Sequence, residues 1–220
     1  MRWMQSLRVN TLCIVLLTAC TQAHIIYIAV PKPTRDISTL STGKYTLDDS
    51  HASITMKVSH LGLSNYTMQF TNFDANLYFN KDKPELSKVN ATITMSSIET
   101  NYPNEKQKDF DKELAYAPSW FNANVFPQAT FVSESIKITE ENKGIVYGKL
   151  TFLGITKPLA MNVTFNGGFT NKPFVGLPAL GFSANAKLNR SEWGLTNLIP
   201  AIGDEVDIQI ECEFHKEDEK

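Results

Sequence analysis

Val206-Asp207-Ile208-Gln209-Ile210-Glu211-Cys212-Glu213-Phe214 alternates apolar and polar residues without a break. Successive side chains on a strand point to opposite faces, so this stretch is greasy on one side and wet on the other. The period returns upstream. Ile54-Met56-Val58 stands against Thr55-Lys57-Ser59, and Tyr66-Met68-Phe70 against Thr67-Gln69-Thr71, with Leu77 and Phe79 following across a turn expected near Asp74. Val89-Ala91-Ile93-Met95, Leu159-Met161-Val163-Phe165 and Phe182-Ala184-Ala186-Leu188 repeat it, and strand-like stretches cover Ala129 to Ile138 and Val146 to Leu153. Turn chemistry separates them at residues 80–84, 142–144, 166–168 and 203–204, and Asn166-Gly167 suits a tight hairpin. Strands at this spacing, without long helical patterns between them, predict an all-β chain. A shared apolar side suits a closed antiparallel barrel, and a greasy interior can hold a greasy molecule. Ala184 and Ala186 leave room on that inner face.

One region breaks the period. Ser97 to Pro127 is charged early and aromatic late. Asp109 to Tyr116 predicts a short helix, stopped before Pro118. Trp120, Phe121, Val125 and Phe126 form an apolar knot, either a plug under the barrel end or a flap over a ligand mouth.

The 220 residues suit one domain plus a leader. Arg2 and Arg8, a short apolar core from Leu12 to Ala19, and Leu17-Thr18-Ala19-Cys20 describe an export signal whose ending looks like a bacterial lipobox. The expected organisation is a lipoprotein-type signal peptide over 1–19, a Pro-, Ser- and Thr-rich tether over 20–43, the barrel over 44–216 and a charged tail over 217–220. Cys20 would be lipidated and anchor the chain to a membrane. Thr21, where an Asp commonly marks inner-membrane retention, favours the outer membrane over the inner. A soluble periplasmic product is one alternative, and an uncleaved membrane anchor over residues 11–30, against which Gln22 and His24 count, is the other. Removing Arg2 and Arg8 from the 21 basic residues leaves 19 against 23 acidic ones, a balance of −4. That excess of acid argues against nucleic-acid binding. With Cys13 lost and Cys20 acylated, Cys212 has no partner and reads as a small buried hydrophobe.

Four blocks then resemble the YceI-like family of bacterial exported lipid-binding (polyisoprenoid-binding) proteins. They are Tyr45-Thr46-Leu47-Asp48-Asp49-Ser50-His51-Ala52-Ser53-Ile54 running into Val58-Ser59-His60-Leu61-Gly62-Leu63; Trp120-Phe121 through Phe126-Pro127-Gln128-Ala129-Thr130-Phe131; Gly148-Lys149-Leu150-Thr151-Phe152-Leu153-Gly154-Ile155-Thr156-Lys157-Pro158-Leu159; and Gly181-Phe182-Ser183-Ala184 with Asn189-Arg190-Ser191-Glu192-Trp193-Gly194-Leu195 and Gly203-Asp204-Glu205-Val206. The resemblance spans about Tyr45 to Phe214. It implies an extended antiparallel, lipocalin-like β-barrel with a long amphiphile inside, such as a polyisoprenoid or an isoprenoid quinone.

The candidate ligand-contacting residues are Leu150, Phe152, Met161, Val163, Phe165 and Phe182, with Trp120 and Phe121. No serine elbow, phosphate loop, dinucleotide fingerprint or Cys-x-x-Cys occurs, so no catalytic residue and no enzymatic activity are expected. No cofactor is expected beyond a bound lipid. His51 and His60 fall short of the three or four convergent ligands a metal needs. Arg190 reads as an ion-pair partner of the nearby Asp204, Glu205 and Asp207, or as a contact for a ligand head group. Expected function is non-catalytic binding or transport of a long-chain amphiphile at the cell envelope. A stress-associated or interaction protein with a filled barrel is the alternative. A homodimer stays open as a partner.

Overall fold

The alternation builds the wall. The computed structural model describes residues 31–103 and 108–217. They form β1 (Gly43–Leu47), β2 (Ser53–His60), β3 (Ser64–Phe70), β4 (Phe73–Phe79), β5 (Lys88–Thr94), β6 (Ile98–Glu99), α1 (Phe110–Tyr116), β7 (Gln128–Glu140), β8 (Lys143–Phe152), β9 (Ile155–Phe169), β10 (Ala179–Asn189) and β11 (Ile202–Lys216). Cys20, the expected signal peptide over 1–19 and the tail beyond Glu217 lie outside the described residues. Among those described, no helix is long and apolar enough to cross a membrane.

The sheet closes into an eight-stranded antiparallel barrel. β1 and β2 lie end to end along β11, with Tyr45 opposite Lys216 and Ile54 opposite Ile210. β3 and β4 lie end to end beside them, pairing Phe70 with Ile54 and Leu77 with Tyr45. β5 and β6 make the next stave, and β7 to β11 complete the ring as single long strands.

Three neighbouring staves break at one level. Asp48 caps the turn between β1 and β2, accepting from Ser50 N at 3.2 Å. Between β3 and β4, Thr71 N donates to Ser97 O and Asn72 N to Ser97 Oγ, both at 3.0 Å. Ser97 itself ends the single 3-10 turn between β5 and β6. The turn expected near Asp74 is therefore a kink at residues 71–72, because β3 and β4 share one direction.

Two other turn readings are corrected. Asn166-Gly167-Gly168 lies inside β9, and the reversal comes at residues 170–178. The glycines serve a close approach. A Cβ on Gly167 would sit 2.9 Å from Pro33 Cβ, and one on Gly168 2.9 Å from Leu40 Cδ1. Gly203-Asp204 lies inside β11, where the register with β2 shifts between Ile202 and Val206.

The stretch read as a tether also packs on the barrel over its second half. Thr34 and Gly168 exchange backbone hydrogen bonds at 2.9 and 2.8 Å. Leu40 is 2% exposed and joins Tyr45, Phe79, Phe165, Leu180 and Phe214 in a core at that end. Composition suggested a linker because Pro, Ser and Thr outnumber apolar residues there, yet one leucine reaches the core.

Helix α1 forms where expected. Asp109 Oδ1 accepts from Lys112 N at 3.0 Å, capping the first turn, and Pro118 bars continuation. Its buried face, Leu114 and Ala115, meets the opposite end of the barrel. The following loop folds back, with Phe121 N donating to Leu114 O at 3.0 Å and Ala123 N to Ala115 O at 2.8 Å.

Candidate functional site

Inward side chains on every stave converge on a cavity of about 970 Å³. Its wall is almost entirely apolar, because residues two apart on a strand share a face. On β11 these are Ile208, Ile210, Cys212 and Phe214, on β10 Phe182, Ala184, Ala186 and Leu188, and on β2 Ile54, Met56 and Val58. Strand β7 shows why the parity is not uniform. Ala129 and Phe131 face inward, the register shifts between Ser133 and Ser135, and thereafter Ile136 and Ile138 face inward. A bulge adds one residue to one strand and turns the side-chain phase over.

All eight sequence candidates stand on this wall. Leu150 and Phe152 of β8, Met161, Val163 and Phe165 of β9, and Phe182 of β10 line it, as do Trp120 and Phe121 from the loop after α1. Phe121 is 6% exposed, its ring centroid 5.8 Å from that of Phe70 and 5.9 Å from that of Phe152. It is thus an interior plug. Val125 of the same knot is exposed. The short side chains of Ala184 and Ala186 border the open space.

The cavity reaches exposed residues at both barrel ends. At the end covered by α1, here the helix end, His60, Ser64, Lys108, Glu113 and Ser119 border it. Lys108 Nζ lies 2.8 Å from Glu113 Oε2 and 5.2 Å from the Phe110 ring centroid. At the other, here the hairpin end, Glu141 and Lys143 of the β7–β8 turn border it. A barrel filled by its own side chains, the alternative reading, would leave no cavity of this size. Sequence parity exposes the strand lining, including the unselected Met56, Tyr66, Met68, Ile208 and Ile210. The polar mouth residues Ser119, Lys108, Glu113 and Asn197 lie outside the strands, where no period announces them.

Arg190 borders the cavity and feels the charge of Asp204, but its guanidinium is held by backbone rather than by a carboxylate. It is 3% exposed, and its guanidinium donates to four backbone carbonyls: Gly203 at 2.7 Å, Leu195 at 2.8 Å, and Asn197 and Ile202 at 2.9 Å. The fork ties two carbonyls of the β10–β11 link, Leu195 and Asn197, to two at the start of β11, Ile202 and Gly203. Asp204 instead accepts from Ser191 N at 2.8 Å and Ser191 Oγ at 2.7 Å. Those bonds, against a smaller opposing effect of burial, lower its carboxyl below the usual range. Trp193 Nε1 donates to Leu150 O at 3.2 Å and ties the same link to the wall.

Burial pushes the Cys212 thiol up to about 12, so this cysteine is held as a neutral hydrophobe. His51 Nδ1 meets Asp48 Oδ2 at 2.9 Å, fixing the β1–β2 turn. Asp48, His51 and Glu213 could face one cation, but a lysine is already there. Lys172 Nζ is 3.3 Å from Asp48 Oδ2 and 2.5 Å from Glu213 Oε2. His215, one residue from the end of β11, joins this cluster, 3.1 Å from Lys172 Nζ.

Known proteins are similar over this same segment. The YceI-like domain matches residues 45–214. A UPF0312 protein of Pseudomonas putida (strain GB-1) is 34% identical over 152 residues, 69% of this chain and 75% of that protein. The crystal structure of the YCEI protein of Campylobacter jejuni has a TM-score of 0.62 and 25% identity, covering 73% of this chain and 90% of that one. A polyisoprenoid binding domain from Saccharophagus degradans shares the fold at a TM-score of 0.54 and 11% identity, covering 80% of this chain and all (100%) of that one.

Proposed function

The chain belongs to the YceI-like family, and on that footing we propose that its barrel binds a long-chain amphiphile, a polyisoprenoid, an isoprenoid quinone or a related lipid, without transforming it. The observation that carries the reading is the continuous apolar cavity of about 970 Å³. That is near the upper end of ligand pockets, which run to roughly 1,000 Å³. Burial of apolar surface yields about 25 cal/mol per Å², so a long tail binds tightly with few polar contacts. Leu150, Phe152, Met161, Val163, Phe165 and Phe182 would hold the tail, and Trp120 and Phe121 would meet it toward the helix end. The polyisoprenoid-binding character of the Saccharophagus degradans domain supports this ligand class.

The envelope is the proposed location. The signal-like segment and Leu17-Thr18-Ala19-Cys20 support export and lipidation at Cys20. A membrane anchor would keep the barrel beside the source of its ligand. Native mass spectrometry of gently purified protein tests the reading. A co-purifying lipid, released on unfolding and identified by extraction, is expected. A barrel that is consistently empty after purification and refuses added isoprenoid would sink it.

A further inference from the structure

Two loops meet at the helix end and leave large apolar side chains in solvent. Leu61 and Leu63, between β2 and β3, are 58% and 85% exposed, and Leu198 and Ile199, between β10 and β11, are 57% and 37% exposed. The loops form one structure. Leu61 N donates to Ala201 O at 2.7 Å, and Ile202 N to Leu198 O at 2.8 Å. Leu61 and Leu198 hold positive φ angles of 53° and 59°, a region that bulky side chains rarely adopt. The backbone is thus strained at two leucines that bury little of themselves. Residues 61–63 and 195–202 carry no ionisable side chain. The patch is continuous with the cavity wall, since His60, Asn197, Leu198 and Ile202 all line it.

The hairpin end is different. Glu141 and Lys143 border the cavity there, and Lys143 pairs with Glu140 at 2.8 Å. Phe174 is 92% exposed, but its loop contains Lys172 and contributes nothing to the cavity lining. The helix-end mouth also holds the Lys108–Glu113 pair, but the two loops themselves are uncharged, and among the described residues exposed apolar loop residues adjoin the lumen there.

We propose that Leu61, Leu63, Leu198 and Ile199 form a lip that seats the helix-end mouth in the surface of a lipid bilayer, so that a water-insoluble ligand passes between membrane and lumen without crossing water. This rests on the lumen's being a lipid site. A bilayer fits the lip because its apolar surface runs on into the lumen wall, so a lipid tail can pass from acyl chains to lumen over apolar surface throughout. Apolar side chains on uncharged loops enter the boundary between head groups and acyl chains. The lip residues carry no charge and the neighbouring Lys108 is paired with Glu113, so zwitterionic vesicles suffice and salt has little influence.

Hydroxyl-radical footprinting of the full chain, with and without phosphatidylcholine vesicles, tests the lip residue by residue. Oxidation at Leu63 and Leu198 falls by about threefold or more on adding vesicles, as burial of an apolar face requires, and holds at high salt. Phe174 reports the opposite end of the same molecule and stays unchanged. In a Leu63→Glu, Leu198→Glu double variant, both at exposed sites, the protection of Ile199 is lost. No fall at Leu63, or an equal fall at Phe174, overturns the proposal. Protection that needs no vesicles and grows with protein concentration also overturns it, assigning the lip to a second copy of the chain. Lipid extraction from the same preparation separates this inference from its premise. Extracted lipid with an unprotected lip overturns the docking alone, whereas a protected lip on a chain that yields no lipid upholds docking and overturns the lumen reading.

Discussion

The rings of Phe165 and Phe182 lie 5.3 Å apart, centroid to centroid, on the neighbouring strands β9 and β10. Both face the cavity, and Phe182 also meets the buried Phe214 at 6.1 Å. The three rings make an aromatic wall segment in which a charge has no polar partner.

Phe182→Asp places a carboxylate in that wall. Losing the ring costs about 3–5 kcal/mol, and an unpaired buried charge adds to it. Lipid occupancy should fall sharply, read by native mass spectrometry at a temperature where circular dichroism shows the barrel still folded. Undiminished occupancy would remove Phe182 from the ligand contact set.

Ala184→Phe tests the hollow rather than the wall. Ala184 faces open space between Val163 and Ile210, so the ring enters the cavity. Overpacking costs about 1–3 kcal/mol in a filled core, and less is expected here. The variant should keep its free energy of unfolding in urea within about 1 kcal/mol of the original while losing ligand. Severe destabilisation would mean that the space is not free to accept a ring.

Arg190→Met leaves four inward carbonyls without a donor. Each unmet buried polar group carries a penalty of about 1–3 kcal/mol, and the group as a whole should cost about 3–5 kcal/mol in urea unfolding. Arg190→Lys should rescue little, since an ammonium cannot span the acceptors of a planar fork. Full rescue by lysine would contradict the geometric argument.

Acid should weaken the Asp48 cluster. Burial alone would raise this carboxyl, but hydrogen bonds from Ser50, His51 and Lys172 outweigh it and hold the group well below the usual carboxylate range. A depressed folded-state value means that its stabilisation is fully present above the unfolded value of about 3.9 and drains away as pH falls toward the folded value. Urea titrations between about pH 6 and pH 3 should show a steeper acid loss for the original chain than for Asp48→Asn. Parallel limbs would show that the cluster contributes nothing.

Cys212 should resist alkylation. With its thiol pushed up to about 12, the thiolate fraction at neutral pH is roughly a thousandfold below that of a free cysteine. Peptide-resolved iodoacetamide labelling should be slow in the folded chain and fast in urea. Equal rates would place the thiol outside the barrel.

Much of the wall was legible beforehand. Ile208, Ile210 and Phe214 face inward because alternation is a property of each strand alone. Met161, Val163 and Phe165 follow for the same reason. The parity switch on β7 was not legible, since one extra residue near Ser133 and Ser135 looks like any serine-rich strand. Arg190 suggested a direct ion pair because acids stand near it in sequence, whereas the acceptors it meets are backbone carbonyls brought together by the fold of residues 195–203. Asn166-Gly167 misled because the same dipeptide serves a turn or the close passage of Pro33 and Leu40, and the chain that passes lies far away in sequence.

Inward and outward faces, the capped α1 and its stop at Pro118 follow from neighbours along the chain, where period, capping and proline act over a few residues. Closure is another matter. Whether eight staves meet around a hollow depends on registers, bulges and the aligned breaks of three strands, each set by partners distant in sequence. That hollow exists because short side chains such as Ala184 and Ala186 stand on a ring whose width no single segment encodes.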